Sequence, residues 1–259
     1  MQNKEIVGNR SIKTLLAAIA VLVPLSVAWP ASIGVAVAAN FAAPMRSLAQ
    51  TFEKNTGHKV IVALGATGQL YAQIKNGAPF DVLLAADDET PKKLQAEGLA
   101  VPGSRATYAI GRLVLWSRRD GLIDAQGEFL SAGRFDRIAI ANPKLAPYGL
   151  AAIEVIETLG LTQAIKPKLV EASNITQAHQ FVASGNAEIG FVALAQVAEG
   201  GKIKSGSGWL IPESLHSPIQ QDLVLLKRGK ANPAAQQLIE FLRSENAKAV
   251  IRSYGYSLP

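Results

Sequence analysis

G-A-T-G-Q-L-Y-A-Q-I-K-N-G-A-P-F-D-V-L-L-A-A-D-D, residues 65–88, reads as a turn, a helix and a strand in succession. It follows the apolar run Val60–Leu64, which predicts a strand. Gly65–Gly68 is a tight turn, Gln69–Lys75 has helical spacing, and Asp81–Ala85 predicts the next strand. Strand, helix, strand at this spacing is the unit of a sheet with crossover helices. Thr67 stands where an N-cap belongs, so its hydroxyl and the amides after it are expected to face one small space. The first amides of a helix lack partners and its dipole end is positive, which makes such a start a ready anion site. No Lys, Arg, Asp or Glu occurs from Val60 to Ile74. A site built here holds an anion with neutral donors alone. A single turn of this kind is equally an ordinary capped helix.

Three further helix starts repeat the pattern. Ile33–Ala38 predicts a strand, and Ala39-Asn40-Phe41 leads into a helix over Ala42–Lys54 with apolar spacing at Met45, Leu48, Ala49 and Phe52. Ile138–Ala141 predicts a short strand, after which Ala146-Pro147-Tyr148-Gly149-Leu150 opens the helix Ala151–Leu159. Ser173-Asn174-Ile175-Thr176 opens Gln177–Ser184. Ligands of open α/β sheets collect at the carboxyl ends of strands, so four neutral starts brought together there form an oxyanion cradle. Any α/β protein has such starts, and spacing alone leaves both readings open.

The alternation of strand and helix continues to the C-terminus and predicts parallel sheets with crossover helices. Ala109–Leu115 and Pro218–Val224 read as continuous strands that could carry the chain from one lobe to another and back, leaving a cleft between. Of 259 residues, 49% are apolar and 18% charged, which suits a folded core. Cysteine is absent, which excludes disulfides, thiolate metal sites and a cysteine nucleophile. Lys4, Arg10 and Lys13 precede the apolar Leu15–Val27, and Ser26-Val27-Ala28 carries the small residues a signal peptidase needs. The run is short for a bilayer span of about 20 residues. Residues 1–28 are therefore expected to be a signal peptide cleaved near Ala28. They carry three bases and Glu5, so the net charge of +6 falls to +4. That charge can steer an anion. The bases are scattered without aromatic interleaving, which argues against nucleic acid.

Here a resemblance becomes specific. A-A-N-F-A-A-P-M (38–45), T-G-H-K-V (56–60), G-A-T-G-Q-L-Y-A-Q-I-K-N-G-A-P-F-D-V (65–82), V-P-G-S-R-A-T-Y-A-I-G-R-L-V-L-W-S (101–117), A-N-P-K-L-A-P-Y-G-L-A (141–151), E-I-G-F-V-A-L-A-Q (188–196) and the terminal Y-G-Y-S-L-P resemble the periplasmic molybdate-binding proteins of ABC importers, in the family's order. The resemblance implies a two-lobed α/β type II periplasmic-binding fold, with lobe one at 29–109 plus 221–259 and lobe two at 110–220. It implies a monomer that captures molybdate, and tungstate, between its lobes in the periplasm and delivers it to an inner-membrane permease. It implies no catalysis and no cofactor, and molybdenum only as the oxyanion, without protein–metal bonds. Residue by residue it carries over Asn40 (side chain and amide) and Thr67 (hydroxyl and amide) from lobe one, and Tyr148 and Ile175, mainly through backbone amides, from lobe two. Ala39 stands where some relatives have a hydroxyl residue. Ala193 stands where others have a tyrosine, and the Tyr148 phenol is expected to replace that missing donor.

Donors without acceptors predict that hydrogen phosphate, which brings a proton with no partner, is refused. Sulfate has the right charge and shape but shorter bonds, and a binding protein for sulfate is the alternative reading. An enzyme acting on a phosphorylated metabolite is a third, but G-A-T-G is not G-x-S-x-G and no G-K-[ST] occurs. Asp81, Asp87 and Asp88 are expected to serve strand ends and helix caps. His58, His179 and His216 have no ligand spacing. Trp116, Phe191 and Tyr108 are expected in the core, and Tyr71 either in the core or on the cleft wall.

Overall fold

The uncharged, β-branched and small residues of Ser32–Ala38 form the central strand β1, whose Ile33, Val35, Ala36 and Val37 are fully buried. The structure, a computed structural model, describes Met1 and residues 30–259. The expected signal peptide, Met1 apart, and its cleavage site lie outside the described residues. After β1 come α1 (Ala42–Thr56), β2 (Lys59–Gly65), α2 (Thr67–Lys75), β3 (Val82–Leu84), α3 (Glu89–Ala96) and β4 (Ala106–Gly111). The chain then builds a second sheet through β5 (Leu113–Ser117), α4 (Glu128–Ala132), β6 (Ile138–Ala141), α5 (Pro147–Thr158), α6 (Thr162–Ile165), β7 (Leu169–Ala172), α7 (Ile175–Ala183), β8 (Ile189–Ala193), α8 (Leu194–Val197), the small hairpin β9 (Ala198–Glu199) and β10 (Lys202–Ile203), and β11 (Ser207–Leu210). It returns as β12 (Ile219–Leu225), α9 (Pro233–Leu242) and α10 (Glu245–Ser253).

Sheet one has the order β2-β1-β3-β12-β4 and sheet two the order β11-β5-β8-β6-β7. The helix-linked pairs β1–β2, β1–β3, β6–β7 and β6–β8 are parallel, as the alternating pattern predicts. The sheets are not wholly parallel, however. Strand β12 runs antiparallel to β3 and β4, and β5 antiparallel to β8 and β11. These are the strands that carry the chain between sheets, and a strand entering from the far side runs against its neighbours.

The expected continuous strand Ala109–Leu115 breaks at Arg112. Gly111 pairs with Ile219 in sheet one, and Leu113 with Ala193 in sheet two. At the break the Arg112 carbonyl accepts from Leu194 N at 2.9 Å. The strand expected at Pro218–Val224 begins at Ile219 and belongs to sheet one throughout. Helix α9 stops at Leu242, and the Ser244 side chain accepts from Ala247 N and starts α10.

Each face of sheet one has its own core. Phe41, Met45, Leu48 and Phe52 pack with α9 and α10 on one side, and Leu70, Ile74 and Leu94 fill the other. Full burial of such a side chain stabilises by about 1.5–3 kcal/mol. The core of sheet two is continuous across the cleft with Ala38, Ala39, Ala66 and Ala86, small residues at strand ends of sheet one. Small residues at that seam let the two walls meet.

Candidate oxyanion-binding site

Four chain segments converge at the carboxyl ends of the strands around a small cavity. Asn40 lies in the single turn Ala39–Phe41 between β1 and α1, Thr67 opens α2, Tyr148 lies in the first turn of α5, and Ile175 opens α7. All four line the cavity, as does Ala39, and no residue lining it is charged. Each of the five is at most 5% exposed. The structure thus gathers every sequence-expected site residue into one space.

Local chemistry sets each start. Ala66 is extended at ψ 147°, and its N–H is accepted by Gln69 Oε1 at 3.1 Å. The helix therefore begins at Thr67, which is its first residue and not the N-cap expected. Freed from capping, the Thr67 hydroxyl accepts the Ala86 N–H at 3.0 Å, which leaves its own proton available to donate. Pro147 stands at the first position of α5, where its missing N–H costs nothing, so the helix starts four residues earlier than expected. At α7 the Asn174 side chain accepts from Gln177 N at 3.1 Å, and Gln177 Oε1 accepts from Ser173 N at 2.6 Å, a reciprocal cap. The first amides of each helix have no carbonyl of their own helix to pair with, and Thr67, Tyr148 and Ile175 at these starts line the cavity. None of α2, α5 and α7 has an acid in its first turn, so each positive dipole end is uncancelled.

The two walls touch directly. Gly68 N donates to Leu145 O at 2.9 Å, and Thr176 Oγ1 donates to Ala39 O at 3.2 Å. A Cβ at Gly68 would lie 3.2 Å from the Leu145 Cα, so glycine permits the approach.

Two expected side-chain donors also contact the residues beneath the cavity. Asn40 Nδ2 donates to Gln221 Oε1 at 2.8 Å and to Tyr256 OH at 3.1 Å, beneath the cavity. Tyr148 lines the cavity, and its phenol, expected to replace the donor missing at Ala193, keeps its own proton to donate. It accepts from Gln221 Nε2 at 3.2 Å and lies against Gly111, where a Cβ would sit 2.2 Å from it. Ala193 itself is the extended residue before α8, its N–H accepted by Gln196 Oε1. Tyr108, Gln221 and Tyr256 were not singled out for the site by sequence. Burial holds the Tyr108, Tyr148 and Tyr256 phenols above their ordinary pKa, so all three stay protonated.

Other expectations resolve simply. Asp87 accepts from Thr90 N at 2.8 Å at the start of α3, and Asp81 accepts from Gly34 N at 2.8 Å. Tyr71 lies away from the cleft, bonded to Glu97 at 2.8 Å. Trp116 and Phe191 are buried. Among the described residues no His, Cys, Asp and Glu cluster suited to a metal occurs, and no helix is long and apolar enough to cross a membrane.

A two-sheet fold whose strand ends close on a small neutral cavity is a solute-binding architecture, and the chain belongs to the bacterial extracellular solute-binding proteins, whose family model matches residues 33–257. Within that family it is 56% identical over 248 residues to the molybdate-binding protein of Azotobacter vinelandii, covering 96% of this chain and 98% of that one. It is 48% identical to the molybdate-binding protein of Rhodobacter capsulatus, covering 92% and 94%. The solved periplasmic molybdate-binding protein of Azotobacter vinelandii superposes with a TM-score of 0.85 at 44% identity, over 88% of this chain and 99% of that one.

Proposed function

We propose that this protein captures molybdate, and tungstate, between its two lobes in the periplasm and delivers it to an ABC importer in the inner membrane. The observation that carries this reading is the donor set. Neutral helix starts from both sheets, with the Thr67 hydroxyl, face one cavity that no charged residue lines. A hydrogen bond to a charged acceptor contributes about 1.5–3 kcal/mol net. Several of them in a dry space offset desolvation of a dianion and reach roughly micromolar to nanomolar affinity. The names of the relatives at 56% and 48% identity favour molybdate over sulfate. Asn40, Thr67, Tyr148, Ile175 and the Ala39 turn hold the oxygens, with no bond to molybdenum and no cofactor. Residues 29–109 with 221–259, and 110–220, are the two lobes. They move about the crossings near Arg112 and Pro218, in a monomer that catalyses nothing.

Titration calorimetry of the mature protein with molybdate, tungstate, sulfate and phosphate tests this. Molybdate and tungstate should bind at least about 100-fold more tightly than sulfate, whose shorter bonds leave a gap of roughly half an ångström that forfeits part of each contact. Equal sulfate and molybdate affinities would transfer the reading to sulfate.

A further inference from the structure

The layer beneath the cavity contains a hydrogen-bond conflict. Tyr108 OH is 2.9 Å from Ala85 O and 3.1 Å from Gln221 Oε1. A phenol has one proton, so one of these two oxygens faces the Tyr108 oxygen with no proton between them. Asn40 Nδ2 meanwhile gives its protons to Gln221 Oε1 and Tyr256 OH, and among the described residues nothing donates to Asn40 Oδ1. No enclosed side-chain N or O lacks a partner among those residues, so Asn40 Oδ1 opens on the cavity that Asn40 lines. In this orientation an acceptor faces the place where an anion's oxygens go.

An amide carries its oxygen and nitrogen at equivalent positions. A half-turn of Asn40 and Gln221 together therefore keeps every contact and reverses the direction of donation. Gln221 Nε2 then donates to Asn40 Oδ1 and to the Tyr108 oxygen, and Gln221 Oε1 accepts the Tyr148 proton. Asn40 Nδ2 is released to the cavity. The conflict leaves Tyr108 and passes to Tyr256, which donates to Asn40 O at 2.9 Å and stands 3.1 Å from the Asn40 amide. Neither amide can turn alone. Turning only Asn40 would set two oxygens face to face at the 2.8 Å contact, and turning only Gln221 would oppose two NH₂ groups. With one conflict in each arrangement, the occupant of the cavity selects between them.

We propose that Gln221 is the positioning residue for oxyanion capture, turning in concert with Asn40 so that the cavity meets an amide donor when the anion binds. This rests on the oxyanion-binding function proposed above. The backbone equips Gln221 for the role. It is fully buried on β12, and the register shifts between it and Asp222. The extra residue is Tyr108 on β4, and this bulge brings its phenol to Gln221. Successive strand residues face opposite sides, so Gln221 faces the tyrosines while its neighbour Asp222 pairs with Arg105 and accepts from Thr107 Oγ1 at 2.7 Å. Gly111, lacking a Cβ, leaves room for Gln221 Nε2 and the Tyr148 oxygen together.

The test is a set of molybdate titrations on wild type, Gln221→Glu, Gln221→Met, Asn40→Ala and the Asn40→Ala/Gln221→Met double variant, each with a ligand-free thermal melt. A carboxylate accepts and cannot donate, so Gln221→Glu holds Asn40 Nδ2 and fixes the carbonyl on the cavity. Its affinity should fall about 10- to 100-fold. Gln221→Met removes the direction without imposing the wrong one and should cost about 3- to 10-fold. In the Asn40→Ala background the methionine should cost nothing further, within a factor of about two. Wild-type affinity in Gln221→Glu overturns the proposal. So does an equal loss from Gln221→Met in both backgrounds, which is the signature of a purely structural residue. If the charged variant melts before it can be titrated, the methionine cycle decides alone. A wild type that binds none of the oxyanions instead overturns the proposed function.

Discussion

The wall of the cavity and the layer directly beneath it solve opposite problems with similar atoms. The wall is main chain: amides at the starts of α2, α5 and α7, fixed in direction by the helices that own them. The layer beneath is Asn40, Gln221, Tyr108, Tyr148 and Tyr256, side chains that can donate or accept. Main-chain donors cannot reverse, so the wall discriminates by charge and distance before any ligand arrives. Side-chain amides and phenols can reverse, so the layer adapts at no cost in geometry. Rigidity therefore sits in the backbone and adjustability sits behind it.

Thr67→Val should break the wall most severely. It keeps shape and main chain but deletes the Thr67 hydroxyl, and molybdate affinity measured by calorimetry should fall about 10- to 100-fold. It also removes the acceptor of Ala86 N. A buried donor without a partner costs about 1–3 kcal/mol, so the ligand-free urea midpoint should fall as well. Thr67→Ser should restore both. A serine variant as weak as the valine one would show that the wall depends on the methyl group and not on the hydroxyl.

Tyr148→Phe sharpens the contrast. If its phenol belonged to the wall, affinity would drop as far as in Thr67→Val. Its oxygen instead meets Gln221, a neutral contact worth about 0.5–1.5 kcal/mol. The expected loss is about 2- to 10-fold, read as faster molybdate release in stopped flow, because this bond joins the two lobes.

The smallest effect is on pH. Burial raises all three phenols above their ordinary value of about 10. The unfolded chain loses these protons near pH 10 while the folded protein keeps them. Their contribution to stability is thus whole below about pH 10 and is lost as pH rises toward the folded values. Molybdate affinity should stay flat from about pH 7 to 9, and the urea midpoint should decline above about pH 10. A decline beginning near neutrality would mean that some other group governs the layer.

Wall and layer also differed in how visible they were in the sequence. The starts at Asn40, Thr67, Tyr148 and Ile175 were legible because turns, prolines and caps are local chemistry. Even so, the N-cap assigned to Thr67 belongs to Ala66, since the Gln69 side chain took the capping role. The layer was not legible because its members are distant: Gln221 and Tyr256 lie 181 and 216 residues from Asn40. One signal was available. Gln220-Gln221-Asp222 places three polar residues in a strand that is otherwise apolar and buried, and buried polar groups are kept only when satisfied. The two-sheet plan followed from the alternating pattern. The antiparallel β5 and β12 did not, because strand direction depends on which sheet the chain has just left.

The bond from Gly68 N to Leu145 O gives the closed cleft a calliper. Peptide meets peptide there, with the glycine hydrogen and the Leu145 backbone already near contact. The gap is therefore gauged by bond lengths and van der Waals radii common to every polypeptide, and side-chain substitution deeper in the cavity can alter what the jaws grip but not how far apart they stop.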